Sequence, residues 1–357
     1  MNFISDHHVL TFADGCAGRI RLDRPKALHS LDLPMVRAMT QALLDWRSDD
    51  EVRIVMIDHA GGRGFCAGGD VVTIARDVPG GGTAGRDFFF EEYRLNHLMY
   101  TYPKPGVVFM DGIVMGGGVG IACPCRYRVV TERTVFAMPE TTIGLFPDVG
   151  GGRYLSRLRG RSAQYLALTS ARLDGAGCIA LGLANFYVPS DRLDDVKAAI
   201  AATPEKTESI LAGAATAPPP AKITEQLPQI DRLFASDDFE AIMAALEADG
   251  GEWALDVLAM LAKRSPTACK VSLRMLVESP RQLHFVDEMR MEYAIMSRMY
   301  RAPDFAEGVR ALLIEKTGDP RWSPATAAEV TPAMVDTYFQ PLPPAEAWTP
   351  LPPTRSN

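Results

Sequence analysis

Hydrophobic and polar positions alternate with two different periods along the first half of the chain. Segments 8–15 and 17–23 have the alternation of short strands around a turn, and residues 33–49 carry apolar side chains at helical spacing before a polar stop. A buried strand follows within 52–62. The same succession returns over 88–140, where a helix, a strand, a glycine cluster, a short helix and two further strands are predicted. Repeated units of this length predict an α/β architecture with crossover connections.

The pattern changes after about residue 190. Helical spacing then dominates, and a proline-rich segment at 217–228 reads as a connection between helices. The final residues, 341–357, contain too many prolines for regular structure. We therefore expect three parts: a catalytic core over 1–190, a helical region over 191–340 that packs on it, and a proline-rich tail. The predicted helical segments after residue 190 are 191–202, 237–264, 266–278 and 287–300.

Composition narrows the class of protein. Charged residues make up 23% of the 357 residues and hydrophobic residues 47%, which excludes a disordered acidic protein and a polytopic membrane protein. The net charge of −7 argues against general nucleic-acid binding, which needs a positive field. The apolar run 105–125 is broken by glycines and Asp111, so it does not read as a membrane span. Small-molecule chemistry is therefore expected. A cytoplasmic location is also expected, because the first residues show no secretory pattern.

Cysteine and histidine residues do not form a recognisable metal site in the sequence. The six cysteines are scattered, and the one close pair, Cys123 and Cys125, has no second pair at ligand spacing nearby. They read as reduced, buried side chains, and the six histidines also lack a known ligand pattern. We therefore expect no metal in the site.

The densest glycine cluster lies within Met115–Ala122, at the junction between a predicted strand and a predicted helix. A dinucleotide fingerprint starting at Gly116 and Gly118 would need glycine at Ile121, and the Gly-Lys-Ser/Thr ending of a phosphate loop is absent. The remaining use of bare backbone at a helix start is to bring amide groups close to a developing negative charge. The cluster therefore predicts an oxyanion hole.

Two further loops join this prediction. Gly68 and Gly69 follow a strand and precede Asp70, which is placed to cap the next helix. A third loop carries Glu140 and, eight residues later, Asp148, with apolar residues between them. Two carboxylates in apolar surroundings can take different protonation states and different roles. Taken singly, the glycine loops also fit ordinary tight turns, and the carboxylates fit helix caps.

These motifs, in this order, resemble the crotonase (enoyl-CoA hydratase/isomerase) superfamily, and specifically its 3-hydroxyisobutyryl-CoA hydrolase branch. The resemblance implies a crotonase-like spiral of repeated ββα units with a C-terminal helical region, and it covers nearly the whole chain. The segments that carry it are RGFCAGGD, MDGIVMGGGVGIA and MPETTIGLFPDVGG, with LDRPKALHSL near the start and SPTACKVSLRML and DFAEGVRALLIEKTGDPRWSP near the end.

The resemblance also implies roles for single residues. Gly69 and Gly117 would donate their amides to a thioester carbonyl oxygen, and Glu140 and Asp148 would be the catalytic carboxylates. Gly120 occupies the position where a typical hydratase carries a glutamate, which makes hydration doubtful. The substrate-binding residues implied are Gly68, Asp70 and Gly120, together with Arg24, Lys26 and Ala27 near the CoA nucleotide; a solvated basic turn is the alternative for Arg24 and Lys26.

The expected function is hydrolysis of a short branched 3-hydroxyacyl-CoA to the free acid and CoA, without a metal or organic cofactor. Glu140 would form a mixed anhydride or act as a general base, and Asp148 would bind the 3-hydroxyl or assist the leaving thiolate. The alternatives are enoyl-CoA hydration or isomerisation and a non-catalytic acyl-CoA-binding role. An acyl-CoA partner, no nucleic acid or membrane partner, and a homo-oligomer of open size complete the expectations.

Overall fold

The computed structural model describes residues 4–5 and 8–352. Over these residues the chain forms eleven strands and sixteen α-helices. The strands are β1 Ile4–Ser5, β2 Val9–Asp14, β3 Ala17–Leu22, β4 Ile54–His59, β5 Gly64–Cys66, β6 Gly106–Met110, β7 Ile113–Met115, β8 Tyr127–Val130, β9 Val135–Ala137, β10 Leu173–Asp174 and β11 Phe186–Tyr187.

The helices fall mainly in the second half of the chain. They are α1 Leu33–Arg47, α2 Val71–Asp77, α3 Ala84–Tyr100, α4 Gly117–Ala122, α5 Gly151–Leu155, α6 Ser162–Thr169, α7 Gly175–Ala180, α8 Leu193–Ala202, α9 Thr207–Ala214, α10 Lys222–Leu233, α11 Phe239–Asp249, α12 Glu252–Leu261, α13 Pro266–Glu278, α14 Phe285–Met299, α15 Pro303–Val309 and α16 Pro332–Phe339. A π-helical turn, Arg310–Ile314, continues α15.

Among the described residues the strands build two sheets. The larger has the order β1-β2-β3-β4-β6-β8-β11, antiparallel at β1, β2 and β3 and parallel from β3 onward. The smaller has the order β10-β9-β7-β5, in which β5, β7 and β9 run parallel. Parallel neighbours require crossovers, and helices supply several of them here. The predicted α/β class is confirmed.

The central strands are apolar throughout because both of their faces are covered. In β4, Val55 and Ile57 join the main core, whereas Ile54 and Met56 point to the other face and join a second core. This alternation with period two places successive side chains in different layers. Helices α8 and α9 form that second layer, so the first helices after residue 190 cover the outer face of the large sheet.

The remaining helices of the C-terminal half pack against the core of the first half. Helix α14 lies against α3, and α13 lies against α6. Pro228 lies inside α10, within the segment that we predicted as a connection, so that prediction was wrong. Buried residues at helical spacing explain the difference, because their burial outweighs the backbone hydrogen bond that proline removes. They are Ile223, Leu227, Ile230 and Leu233.

The tail turns back onto the core as far as the structure describes it. Trp348 is 2% exposed, and its indole nitrogen donates to the Phe90 carbonyl of α3 at 3.1 Å. Burying a tryptophan with its N–H satisfied is a strong local anchor. The rest of the predicted tail, 353–357, lies outside the described residues.

Two further expectations concern the membrane and the cysteines. In the part of the chain that the structure describes, no helix has the length and apolar character to cross a bilayer. Burial raises the pKa of Cys123 and Cys125 to about 12, which makes both thiols poor nucleophiles and poor metal ligands.

Candidate active site

The candidate site lies where three strands of the small sheet end. Because β5, β7 and β9 are parallel, their carboxyl ends meet at one edge of that sheet. Gly68 and Gly69 follow β5, Gly116 and Gly117 follow β7, and Glu140 follows β9. The sheet therefore brings the three predicted loops together, at the position where α/β folds commonly bind ligands.

The two glycine loops approach each other closely. A Cβ atom placed on Gly68 would lie 3.3 Å from the Met115 carbonyl oxygen and 3.6 Å from the Gly117 nitrogen. A Cβ placed on Gly117 would lie 3.4 Å from the Gly69 nitrogen and would collide with Glu92 Oε1. The backbone also bends sharply at Gly116, whose φ of 50° and ψ of −123° disfavour any side chain. These contacts explain why glycine occupies the positions.

The amides of Gly69 and Gly117 are the free donors of this arrangement. Leu31 pairs with the neighbouring loop by donating to the Gly68 carbonyl and accepting from the Asp70 amide, which leaves the Gly69 N–H without an acceptor among the described residues. Gly117 begins α4, so its N–H has no partner within the helix. Two unpaired amides side by side form an anion-binding pair of the kind that stabilises an oxyanion.

A cavity of about 340 Å³ opens in front of these amides. Its wall is mostly apolar, with Phe88, Phe89, Ile143, Leu145, the half-buried Leu312 and the exposed Leu313. Gly68, Gly69 and Gly117 line it together with three carboxylic side chains, Glu92, Glu140 and Asp148. The structure thus brings Glu140 and Asp148 into one cavity, as we expected from their loop.

Glu140 lies close to the glycine turn at Gly116. A Cβ placed on Gly116 would lie 3.0 Å from Glu140 Oε1, and Oε2 is buried without a hydrogen-bond partner within residues 8–352. Burial, and then the charge of Asp148, raise the pKa of Glu140 well above its usual range. An ionised Glu140 is therefore a strong base or nucleophile.

Asp148 has a different environment, although it is equally buried. The Tyr93 hydroxyl donates to Asp148 Oδ2 at 2.8 Å. Burial raises the pKa of Asp148 to about 7, while the bond from Tyr93 opposes that rise. Tyr93 binds Asp148, whereas Glu140 Oε2 has no hydrogen-bond partner among the described residues, and this environmental difference separates the roles of the two carboxylates.

Glu92 is a site residue that the sequence analysis missed. It lies on α3, is 2% exposed, and its Oε1 has no hydrogen-bond partner in the described chain. Burial and the charges of Asp148 and Glu140 raise its pKa well above its usual range, which favours its protonated form. In the sequence, Glu92 falls within an amphipathic helix beside Glu91, and no motif sets it apart.

Gly120 does not line the cavity, so the structure corrects its assignment to substrate binding. A Cβ placed on Gly120 would lie 2.6 Å from Val149 Cβ and 2.8 Å from Asn96 Nδ2. The space that a glutamate side chain would need is filled by the loop that carries Asp148. Gly120 therefore belongs to the packing behind the site.

Of the predicted substrate-binding residues, Arg24 and Asp70 are engaged with each other and with neighbouring backbone. Arg24 donates to Asp70 Oδ2 at 2.8 Å and also contacts Ser30. Asp70 accepts from the Thr73 amide, which confirms its expected role as the helix cap of α2. Neither residue lines the cavity, because the ion pair and the cap occupy both side chains. Lys26 is exposed and Ala27 is half-buried on the neighbouring turn, and their contact with CoA stays a prediction.

Two of the arginines that follow Asp148 in the sequence are engaged in contacts within the protein. Arg153 is buried, donates to the Tyr100 hydroxyl and the Gln282 carbonyl, and faces the core. Arg161 binds carbonyl groups and Asp237 in the α10–α11 connection. These two side chains join the first half of the chain to the helical region.

A second, larger cavity of about 910 Å³ adjoins the first and shares Met115, Pro139, Thr142 and Leu312 with it. Arg172, Lys222 and Arg264 lie on its wall. The site is therefore the inner end of a wider recess.

The sequence profile of the enoyl-CoA hydratase/isomerase family matches residues 17–339. The chain belongs to this family. Curated members of similar sequence include 3-hydroxyisobutyryl-CoA hydrolase, mitochondrial, from Xenopus tropicalis, with 40% identity over 95% of this chain and 90% of that protein. The human protein of the same name shares 40% identity over 94% of this chain and 89% of its own length.

Solved structures of family members support the architecture. A carnitinyl-CoA dehydratase from Mycobacterium thermoresistibile has a TM-score of 0.90 at 42% identity, with 95% of this chain and 98% of that chain covered. An enoyl-CoA hydratase from Rhodobacter sphaeroides 2.4.1 has a TM-score of 0.89 at 38% identity, with 96% and 100% covered. The fold of this family member, including its helical region, therefore follows that of its structural relatives.

The raised pKa of Asp148 has a consequence for stability in this family member. Since the pKa rises from 3.8 to about 7 on folding, the folded protein binds more protons than the unfolded chain between those values. The free energy of unfolding therefore falls as pH rises through that window. Asp148→Asn cannot ionise at this position. We therefore expect its Tm minus the Tm of wild type to increase by a few degrees when the pH is raised from about 4.5 to about 7.5.

Thermal unfolding at both pH values measures this effect. Asp256→Asn, at an exposed position on α12, is the matched control and should leave the difference from wild type independent of pH. A Tm difference for Asp148→Asn that does not grow with pH would contradict the prediction.

Proposed function

We propose that the protein hydrolyses the thioester of a short branched 3-hydroxyacyl-CoA, 3-hydroxyisobutyryl-CoA, to the free acid and CoA. The observation that carries the proposal is the pair of unpaired amides of Gly69 and Gly117, set in one cavity with the buried carboxyl groups of Glu140 and Asp148. The names of the curated relatives give the acyl group. This substrate places the reaction in valine breakdown.

The amide pair polarises the thioester. With its carbonyl oxygen between the Gly69 and Gly117 amides, the carbonyl carbon faces the carboxyl-lined interior of the cavity. Negative charge that develops on the oxygen during attack is then stabilised by donors that are already oriented. The mostly apolar wall excludes water from the acyl group and strengthens these interactions.

Glu140 supplies the attack by one of two routes. As a nucleophile, its carboxylate forms a bond to the thioester carbon, the carbon–sulfur bond breaks, and water then opens the mixed anhydride. As a general base, it takes a proton from a water molecule that attacks directly. In both routes the carbon–sulfur bond breaks, and the CoA thiolate leaves and receives a proton. The net reaction consumes one water and gives the free acid and CoA.

Asp148 and Glu92 complete the polar lining. Asp148 either binds the 3-hydroxyl of the acyl group or assists proton transfer to the leaving thiolate. Glu92, in its protonated form, offers an O–H donor beside Gly117. The cavity of about 340 Å³ suits a short branched acyl chain.

The proposed reaction requires no metal or organic cofactor, because the thioester is already an activated acyl group. The cytoplasmic location stays a prediction, and the curated relatives are named as mitochondrial proteins. Assembly into homo-oligomers also stays a prediction.

Hydration or isomerisation of an enoyl-CoA is the second candidate. Two solved relatives, named as a dehydratase and a hydratase, favour it. Glu92 also offers a further carboxyl group to work with Glu140. Against it stands Gly120, where Val149 and Asn96 leave no room for the glutamate of typical hydratases.

A direct comparison of substrates tests the proposal. We expect the protein to release free thiol from 3-hydroxyisobutyryl-CoA faster than it changes the double-bond absorbance of crotonyl-CoA, at equal concentrations. Faster loss of enoyl absorbance than release of thiol would favour the second candidate. Binding of both thioesters without turnover of either would indicate a non-catalytic acyl-CoA-binding protein.

The oxyanion assignment predicts the effect of Gly117→Val. The branched side chain would collide with Glu92 and block the Gly69 amide, so we expect thiol release to fall at least about 100-fold, the typical loss for one oxyanion donor. Circular dichroism and thermal unfolding verify the fold. Gly213→Val is the matched control, since that glycine lies exposed on α9 with no atom within 4 Å of an added Cβ. Near-normal turnover by folded Gly117→Val would contradict the assignment.

The two carboxylates should respond differently to neutral replacement. Glu140→Gln keeps the shape but loses the attacking group, so hydrolysis should collapse for every thioester. If Asp148 binds the 3-hydroxyl, Asp148→Asn should lose far more activity on the 3-hydroxy substrate than on isobutyryl-CoA. Equal losses on the two thioesters would assign Asp148 to proton transfer. Full activity of Glu140→Gln would contradict its role.

Single turnover in ¹⁸O-labelled water separates the two routes for Glu140. Label in the Glu140 carboxyl group, found by mass spectrometry of its peptide, would establish the anhydride, because water that opens the anhydride at the enzyme carbonyl leaves its oxygen there. Label confined to the acid product would favour the general-base route or water attack at the acyl carbonyl.

A further inference from the structure

We propose that Glu292, on helix α14 of the C-terminal region, is the positioning residue for Asp148. It does not line the cavity and acts through the backbone that follows Asp148. The inference rests on the proposed function for the reaction that it affects, and the geometry of the contact carries it.

The contact consists of two hydrogen bonds to one loop. Glu292 Oε2 accepts from the Gly150 amide at 2.7 Å, and Oε1 accepts from the Gly152 amide at 3.1 Å. Glu292 is 0% exposed. Each oxygen of one carboxyl group thus holds one amide of the turn into α5, and the residue that begins this turn is Asp148. Burial, and then the charge of Glu288, raise the pKa of Glu292 well above its usual range, and the hydrogen bonds from the Gly150 and Gly152 amides oppose that rise.

The loop depends on contacts from other elements because its backbone is strained at Val149. Val149, directly after Asp148, has a φ of 55°, a left-handed conformation that a β-branched residue rarely adopts. Its side chain packs on Gly120. Such a conformation persists only where surrounding contacts determine it. The Gly120 contact holds the Val149 side chain, and Glu292 holds the amides that follow.

This hold sets the direction of the Asp148 side chain. Tyr93 binds Asp148 Oδ2 from α3, so the carboxyl group is fixed at its tip by α3 and at its backbone by α14. Helices α3 and α14 pack against each other. A shift of the loop would break the bond to Tyr93 and turn Asp148 away from the cavity, although Asp148 itself is unchanged.

Glu288, one turn earlier on α14, is the comparison residue: its charge helps to raise the pKa of Glu292, and its variant removes that neighbour while leaving both amide contacts in place. It is also 0% exposed, but it accepts from the Ser279 hydroxyl at 2.6 Å and makes no hydrogen bond to the loop that follows Asp148. Glu288→Gln retains an oxygen for Ser279. Glu292→Gln, in contrast, retains one acceptor for two amides and turns an NH₂ group toward the other.

The experiment compares the full-length variants in thiol release and in binding of a non-hydrolysable thioether analogue of the substrate. For Glu292→Gln we expect kcat to fall at least about tenfold, with KM and the analogue Kd within about threefold and about one analogue bound per chain. Glu288→Gln should keep kcat within about threefold of wild type. A merely structural defect would instead lower the bound stoichiometry and leave the turnover of the remaining sites unchanged.

A double variant provides the second test. On an Asp148→Asn background, Glu292→Gln should cost less than about threefold further activity, because its effect passes through Asp148. If Glu292→Gln does not fold, Glu292→Asp replaces it, since the shorter side chain keeps a carboxyl group but cannot reach both amides. Three outcomes would each overturn the proposal. The folded Glu292 variant could keep the wild-type kcat, or Glu288→Gln could lose as much kcat as Glu292→Gln. The double variant could also lose activity by the full product of the two single losses. Absence of thiol release by wild type counts against the proposed function alone, and the same variants are then compared on the acyl-CoA reaction that wild type catalyses.

Discussion

The parallel pairing of β5, β7 and β9 is the constraint on which the site depends. It brings three loops to one edge of the small sheet, and the loops fit there only because two of them are bare backbone. A Cβ on Gly68 would press on the Met115 carbonyl, and a Cβ on Gly118 would collide with the Cys66 carbonyl. The same bareness leaves the amides of Gly69 and Gly117 open to a ligand. Glycine is therefore required both for the packing of the loops and for the access of a ligand to these amides, because there is no space for a side chain.

Charge is the second organising feature, and it works against stability. Three carboxyl groups face one largely apolar cavity, where burial raises the pKa of each and the charge of Asp148 adds to the rise for Glu92 and Glu140. The protein tolerates this cost because the surrounding sheets and helices are extensively packed. The result is a set of groups whose protonation is poised for proton transfer and attack, as is common at active sites.

The helical region after residue 190 contributes to this site as well as covering the core. Leu312 and Leu313 wall the cavity from the π-helical turn after α15, and Glu292 holds the turn after Asp148 from α14. Family members with hydratase, dehydratase and hydrolase names share the scaffold. In this chain Gly120 stands where a typical hydratase carries a glutamate, and Val149, from the loop that carries Asp148, packs against it.

The sequence alone determined the α/β class, the long periodic helices, the glycine loops, the Asp70 cap and the pair Glu140 and Asp148, because local spacing and motif order encode them. Tertiary structure decided what depends on distant contacts. Glu92 resembles any helical glutamate until α3 is placed against the cavity, and Arg24 resembles a free cation until Asp70 binds it. Glu292 lies well over a hundred residues from Asp148 in sequence, so only packing reveals that one holds the other's loop.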